Sequence, residues 1–240
     1  MKLCLYATVL AALSFGPSAY GQEVVSTEAE NCELHIWPTE HYIGFNTGLL
    51  SGLGVVGVLA DMAVHKDRVM TVKDRMRGDL GPEVQIEELR KADVAGVLGL
   101  SGYRIVVEPP LPTIEDAKAD PAVKKTVKEM AAKLKGKVRL SDATVPCYAE
   151  LVGGGIMYHK AMMYGSNLFA GWIFRDFGKT AGTLPKFFSG AVKNPLEKFP
   201  AKTPEDTEVA TAELRDAYAK DFVEYVEKKV RGGVARTPAR

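Results

Sequence analysis

Between Gly44 and His65 the chain reads GFNTGLLSGLGVVGVLADMAVH, a run without a charged side chain before Asp61 and with glycine recurring at 44, 48, 52, 54 and 57. Few packed folds accept such a segment. It has apolar surface to bury, yet each glycine weakens a helix by about 1 kcal/mol relative to alanine and is tolerated mainly where another backbone must come close. Gly48 and Gly52 are four apart, and Gly57, Ala60 and Ala63 prolong the small-residue surface, a spacing that lets helices approach one another. The segment is therefore expected to form a glycine-rich apolar helix packed on a sheet or a neighbouring helix. Gly48, Gly52 and Gly57 are its interaction candidates.

Other readings of the same letters are weaker. Gly52, Gly54 and Gly57 spell GxGxxG, but that fingerprint needs a buried strand running into its first glycine, and Asn46 to Ser51 do not supply one. No nucleotide or other cofactor is expected. A spanning helix takes about 17 to 25 apolar residues; Gly48 to Val64 barely reaches that range, and Asp61 interrupts it.

The chain opens with Lys2, an apolar core from Leu3 to Phe15, and the small-residue boundary Ala19-Tyr20-Gly21, the three regions of a secretory signal peptide. Residues 1–21 are expected to be removed before Gln22, placing the protein in the periplasm or outside the cell. Gln22 stands where a lipoprotein would carry cysteine, so no lipid anchor is expected. The remainder divides into a flexible lead over 22–31, one α/β domain over 32–230 and a basic disordered tail over 231–240. Of 31 basic and 30 acidic residues, one basic residue, Lys2, belongs to the leader. The balance gives no electrostatic reason to expect nucleic acid.

Cys32 and Cys147 survive export, and an even pair in an oxidising compartment is expected to form a disulfide closing a long loop. From Cys32 the pattern alternates, with Cys32, Leu34 and Ile36 on one face and Glu33, His35 and Trp37 on the other until Pro38, which predicts a strand. Beyond the glycine-rich run, Val69, Val72, Met76 and Leu80 mark an amphipathic helix that Gly81 and Pro82 end, and Val84 to Ala95 reads as a short further helix. Tyr103 to Val107 predicts a strand. Asp120 and Pro121 open a helix whose apolar stripe is Val123, Val127, Met130 and Leu134. Further strands are predicted over Val138 to Leu140, Cys147 to Val152, Ile156 to Met163 and Leu168 to Arg175, with Gly153 to Gly155 as a bulge or turn and Tyr164 to Asn167 as a hairpin turn. Phe177 to Lys202 reads as a proline-rich loop, and Thr203 and Pro204 open a last helix. The whole is an α/β (α+β) fold with one mixed sheet of about five to six short strands packed by amphipathic helices.

Chemistry is harder to find. None of His35, His41, His65 and His159 stands at metal-ligand spacing from another, and no metal site is expected. His35 and His159 read as solvent-facing strand residues. Gly99-Leu100-Ser101-Gly102 misses the hydrolase elbow by register. No catalytic constellation is assigned; a hydrolase would need His159, Asp142, Glu150 or His35 to converge in a concavity.

The segment GLLSGLGVVGVLAD from Gly48 to Asp61, with CELHIWP from Cys32 at the head of the domain, resembles exported bacterial proteins with glycine-zipper-like segments and, more loosely, the α/β periplasmic domains of the TolB amino-terminal and curli-secretion type. The missing lipoprotein cysteine departs from the curli-secretion type. The resemblance implies an envelope setting and an α/β domain. The expectation is a non-catalytic exported protein acting by self-association or by binding an envelope partner; the alternatives are an exported hydrolase-like enzyme and a peripheral membrane binder acting through Phe187 and Phe188.

Overall fold

Alternation in CELHIW makes Cys32–Trp37 a strand (β1), and Pro38 ends it because proline has no N–H to give a ladder. The computed structural model describes residues 32–47, 66–136, 138–161, 165–179 and 185–232. After β1 come β2 (Tyr42–Thr47), α1 (Lys66–Asp79), α2 (Pro82–Lys91), the single turn α3 (Val94–Val97), β3 (Arg104–Val107), α4 (Ile114–Ala119) and α5 (Pro121–Lys135). Three long strands follow, β4 (Cys147–Ala161), β5 (Gly165–Asp176) and β6 (Lys186–Leu196), then a 3-10 turn (Pro204–Asp206) and α6 (Thr207–Tyr225), which closes in a π-helical turn over Val226–Arg231.

The strands form one mixed six-stranded sheet in the order β3-β1-β4-β5-β6, with β2 also paired to β4. β1 is parallel to β3 and to the first half of β4, β2 is parallel to the second half of β4, and β4, β5 and β6 make an antiparallel meander. β1 and β2 thus lie end to end beside one long strand: Trp37 pairs with Val152 and Tyr42 with Ile156. Pro38 to His41 bridge the break opposite Gly153 to Gly155, where the ladder to β5 slips by one residue. A Cβ on Gly153 would lie 3.2 Å from Thr39 Cβ, and one on Gly155 would lie 3.2 Å from His41 Nδ1. The triple glycine is therefore a bulge inside one strand, admitting the crossing chain.

One sheet face carries the main core, in which Leu34, Ile36, Leu151, Ile156, Leu168 and Phe174 meet Met76 of α1, Leu89 of α2 and Leu214 of α6. Trp172 sits against Tyr218, Phe222 and Tyr225 at ring separations of 5.4, 5.7 and 5.5 Å; burying each such ring contributes roughly 1.5–3 kcal/mol. The other face carries a smaller cluster, Trp37, Leu140 and Val152, against which Met130 and Leu134 of α5 pack. Cys32 and Cys147 are register partners on β1 and β4, and their disulfide, with Cα atoms 4.7 Å apart, closes a loop of 115 positions.

Several expectations are corrected. The proline-rich loop contains β6: Pro185 immediately precedes the strand, and Pro195 lies near its end on an edge that has a neighbour on only one side, the position a strand proline tolerates. Its Phe188 packs against the main core while Phe187 is 52% exposed, so the two do not form one membrane-facing pair. Val138 to Leu140 is irregular, because Leu140 N donates to the Glu150 carboxylate (2.6 Å) and Arg139 donates to Ala143 O and Val145 O, at 2.8 and 2.9 Å. Gly165 to Asn167 belong to β5 and Gly44 to Thr47 belong to β2. α4, which the sequence reading passed over, is opened by a reciprocal capping box between Thr113 and Asp116. The interaction candidates Gly48, Gly52 and Gly57 lie outside the described residues.

Candidate functional site

The face of β1 opposite the main core projects Glu33, His35 and Trp37, and the parallel register sets Tyr148 beside Glu33 and Glu150 beside His35. His35 is only 4% exposed, which overturns the solvent-facing reading. Its Nδ1 lies 2.6 Å from Glu108 Oε1 and its Nε2 lies 2.8 Å from Glu33 Oε2. Both ring nitrogens face carboxylates. The ring stacks on Trp37 at 5.9 Å and tilts against Tyr148 at 4.8 Å. Arg104 of β3 pairs with the other oxygen of Glu33. Burial on its own pushes the Glu33 carboxyl up, but hydrogen bonds from His35 and Arg104, together with the charge of Arg104, bring it below the usual carboxylate range.

A second group of polar residues adjoins this one. Glu150 and Arg175 are both fully buried and form an ion pair. Glu150 Oε1 also accepts from Tyr148 Oη at 2.8 Å and from Leu140 N. Arg175 Nη1 donates to Lys133 O and Val138 O, each at 2.9 Å, placing a cation at the carbonyl end of α5. Tyr148 is bonded to Ser141 Oγ at 2.8 Å and lies under the Arg139 guanidinium at 4.4 Å. Burial, then the Glu150 carboxylate, push its phenol well above the ordinary range. The bulge decides who pairs with Glu150. Beyond it Ile156 faces Ala170; continued without the slip, that ladder would set Glu150 opposite Asp176 rather than Arg175.

Glu108 is also in contact with a cleft. It is one wall of an open depression of about 680 Å³ lined by Pro38, Glu40, Gly81, Pro82, Glu83, Arg90, Val107 and Pro110, among others. This depression lies at the carboxyl ends of the parallel strands β1 and β3, the place where open α/β sheets commonly bind ligands. What the arrangement can do there is hold a carboxylate rigidly: Glu108 is oriented by His35, and His35 by Glu33. Ser141 bonds Tyr148, not a histidine, and so does not complete a nucleophile–base pair.

Of the residues a hydrolase would need together, the structure unites only His35 and Glu150, as buried neighbours on adjacent strands. Asp142 is exposed on the segment before β4. His159 lies in the other half of β4, between Phe45 and Phe169 at 5.3 and 6.1 Å, and burial followed by the charge of Lys193 lowers its pKa. The reading from sequence passed over Glu33, Arg104, Glu108, Tyr148 and Arg175. Alternation alone puts Glu33 with His35, but Glu108 lies outside any strand, and Arg175 needs the bulge. Among the described residues, no group of three or more His, Cys, Asp or Glu side chains is placed to hold a metal ion. No protein-family model matches the chain, and no curated protein sequence matches it.

Proposed function

We propose that this is a non-catalytic, exported envelope protein that acts through its surfaces, by self-association or by binding an envelope partner. The observation that carries the reading is the internal use of the polar cluster. Glu33, His35, Tyr148, Glu150 and Arg175 bond chiefly to one another and to the backbone at the end of α5, the behaviour of groups that tie a helix to a sheet, with Arg175 Nε left without a hydrogen-bond partner among the described residues. Export rests on the charged start, the apolar core and the Ala19-Tyr20-Gly21 boundary. The likeness to the TolB amino-terminal and curli-secretion type is part of this proposal and rests on the segments from which it was drawn.

A second reading, an exported hydrolase-like enzyme, is favoured by one feature: Glu108 both touches His35 and lines the cleft. His35→Gln separates the two. In a binding protein it lowers the melting temperature and leaves partner binding or self-association in place. Ester or peptide turnover by the wild type, lost in a His35→Gln variant that still melts normally, would overturn the first reading in favour of the second.

A further inference from the structure

We propose that the open edge of β3 is a self-pairing surface, through which two copies of this chain join their sheets antiparallel about a two-fold axis at Val106. β3 ends the sheet on one side and has one neighbour, β1, among the described residues. Glu108 N donates to Ile36 O at 2.9 Å, and a parallel ladder bonds alternate residues, so Arg104, Val106 and Glu108 turn their backbone groups to β1. Ile105 and Val107 therefore aim theirs outward, and no backbone partner for them is found among the described residues. Val107 is 45% exposed, so the edge is open there. Its flanks are closed: Tyr103 N is already bonded to Leu100 O at 3.0 Å, and Pro109 and Pro110 have no N–H to offer.

One register satisfies such an edge. With Ile105 opposite Val107 of the second copy, and Val107 opposite its Ile105, both pairs exchange N–H···O=C bonds. A shift to either side would set Val107 against Tyr103 or Ile105 against Pro109, whose N–H is spent or missing. The same register is matched in charge: Arg104, its side chain 66% exposed, falls opposite Glu108 of the second copy, and Glu108 opposite its Arg104. The carboxylate that His35 orients thus meets the guanidinium that Glu33 holds, an opposite-charge cross-strand pair made twice. On the face shared with Leu34 and Ile36, the exposed Val107 side chain is covered by Ile105 of the second copy, and Val106 meets its own equivalent on the axis. A strand that reads base, three apolar residues, acid is its own complement when reversed, which commits the edge to a second copy and closes the assembly at two. The opposite outer strand, β6, carries Lys186 and Lys193 and no acid to answer them.

The pairing names the surface of the proposed self-association and rests on that reading. Sedimentation of the mature chain should show a concentration-dependent dimer. Val107→Pro removes an outward N–H that the β1 ladder does not use, so it keeps the fold and should weaken dimerisation roughly thirtyfold, the loss of one net backbone bond from each copy. Val106→Cys places its two copies as a non-hydrogen-bonded pair with Cα atoms about 4.5 Å apart, within reach of a disulfide; mild oxidation should link that dimer, and should not link Val107→Cys. Arg104→Glu and Glu108→Arg should each be monomeric alone and dimerise when mixed, because the mixed pair restores both ion pairs. Melts are run on every variant, and if the charge variants fail to fold, Val107→Pro and Val106→Cys still decide. Dimers indifferent to Val107→Pro, linked through Val107→Cys instead of Val106→Cys, or not recovered by mixing folded charge variants overturn the pairing and leave self-association to another surface. A chain monomeric at every concentration overturns the pairing and self-association together, leaving partner binding. Linkage of Val106→Cys in cells only to a chain of different mass gives the edge to a partner's strand and overturns the second copy.

Discussion

Asp221 shows how much one side chain can make stability depend on pH. It sits fully buried on α6 against β6, where Oδ1 accepts from Asn194 Nδ2 at 2.7 Å. Burial pushes its carboxyl up to about 7, the Asn194 hydrogen bond opposing and the nearby Glu224 charge adding to the rise. Because the folded state holds this proton more tightly than the unfolded chain does, stability falls as pH rises from near 4 to 7 and then levels off. Asp221→Asn keeps an acceptor for Asn194 and removes the titration. Its thermal melts should converge with the wild type near pH 4 and exceed it at pH 8, by a few kcal/mol at most. Equal gains at both values would show that the carboxyl does not titrate in this window. Glu33 acts in the opposite sense: its lowered pKa contributes stability above about pH 4.5 that is lost as pH falls through the folded value. Arg104→Ala should therefore move the acid limb of the stability curve to higher pH.

At the scale of elements, the attachment of α5 to the sheet depends on the Glu150–Arg175 pair more than on apolar contact. None of the α5 residues whose burial is described is fully buried, while Arg175 binds the carbonyls at its end. Arg175→Met leaves a buried carboxylate unpaired and strips the helix end, at a cost of about 3–5 kcal/mol in urea unfolding. Adding Glu150→Gln should return part of that loss, since an amide is cheaper to bury; strict additivity would argue against a coupled pair. The break between β1 and β2 gives a second test. Gly153→Val drives its side chain into Thr39 and the Trp37 carbonyl, 3.2 and 3.3 Å from the position of Cβ alone, and should cost about 1–3 kcal/mol. Gly154→Ala meets nothing closer than Gly171 O at 3.4 Å and serves as the control expected to melt near the wild type.

For the whole molecule, the Cys32–Cys147 bridge joins the first described strand to the long central one, so it constrains most of the unfolded chain between them. Reduction, or Cys32→Ala with Cys147→Ala, should lower unfolding free energy by about 2–4 kcal/mol without altering the far-ultraviolet circular dichroism of the fold. A change in strand content on reduction would mean that the bridge sets the β1–β4 register rather than securing it.

Local pattern determined a good deal of this. The alternation of CELHIW specified β1 and which of its faces is apolar; Asp120 with Pro121 specified the start of α5, and Thr203 with Pro204 the 3-10 turn that leads into α6; Cys32 and Cys147 specified a bridge. All depend on contacts within a few residues or on pairing by elimination. What the tertiary structure decided depends on who stands opposite whom. A one-residue slip at three glycines chose Arg175 over Asp176 for Glu150, and an edge position turned a proline-rich stretch into β6. The break that lays β2 in line with β1 divided one sheet face into a half where His35 is locked between two carboxylates and a half whose described strand residues include no acid. Sequence periodicity carries the face of a residue but not its register, because a shift of one position changes every partner while leaving each strand's own pattern intact.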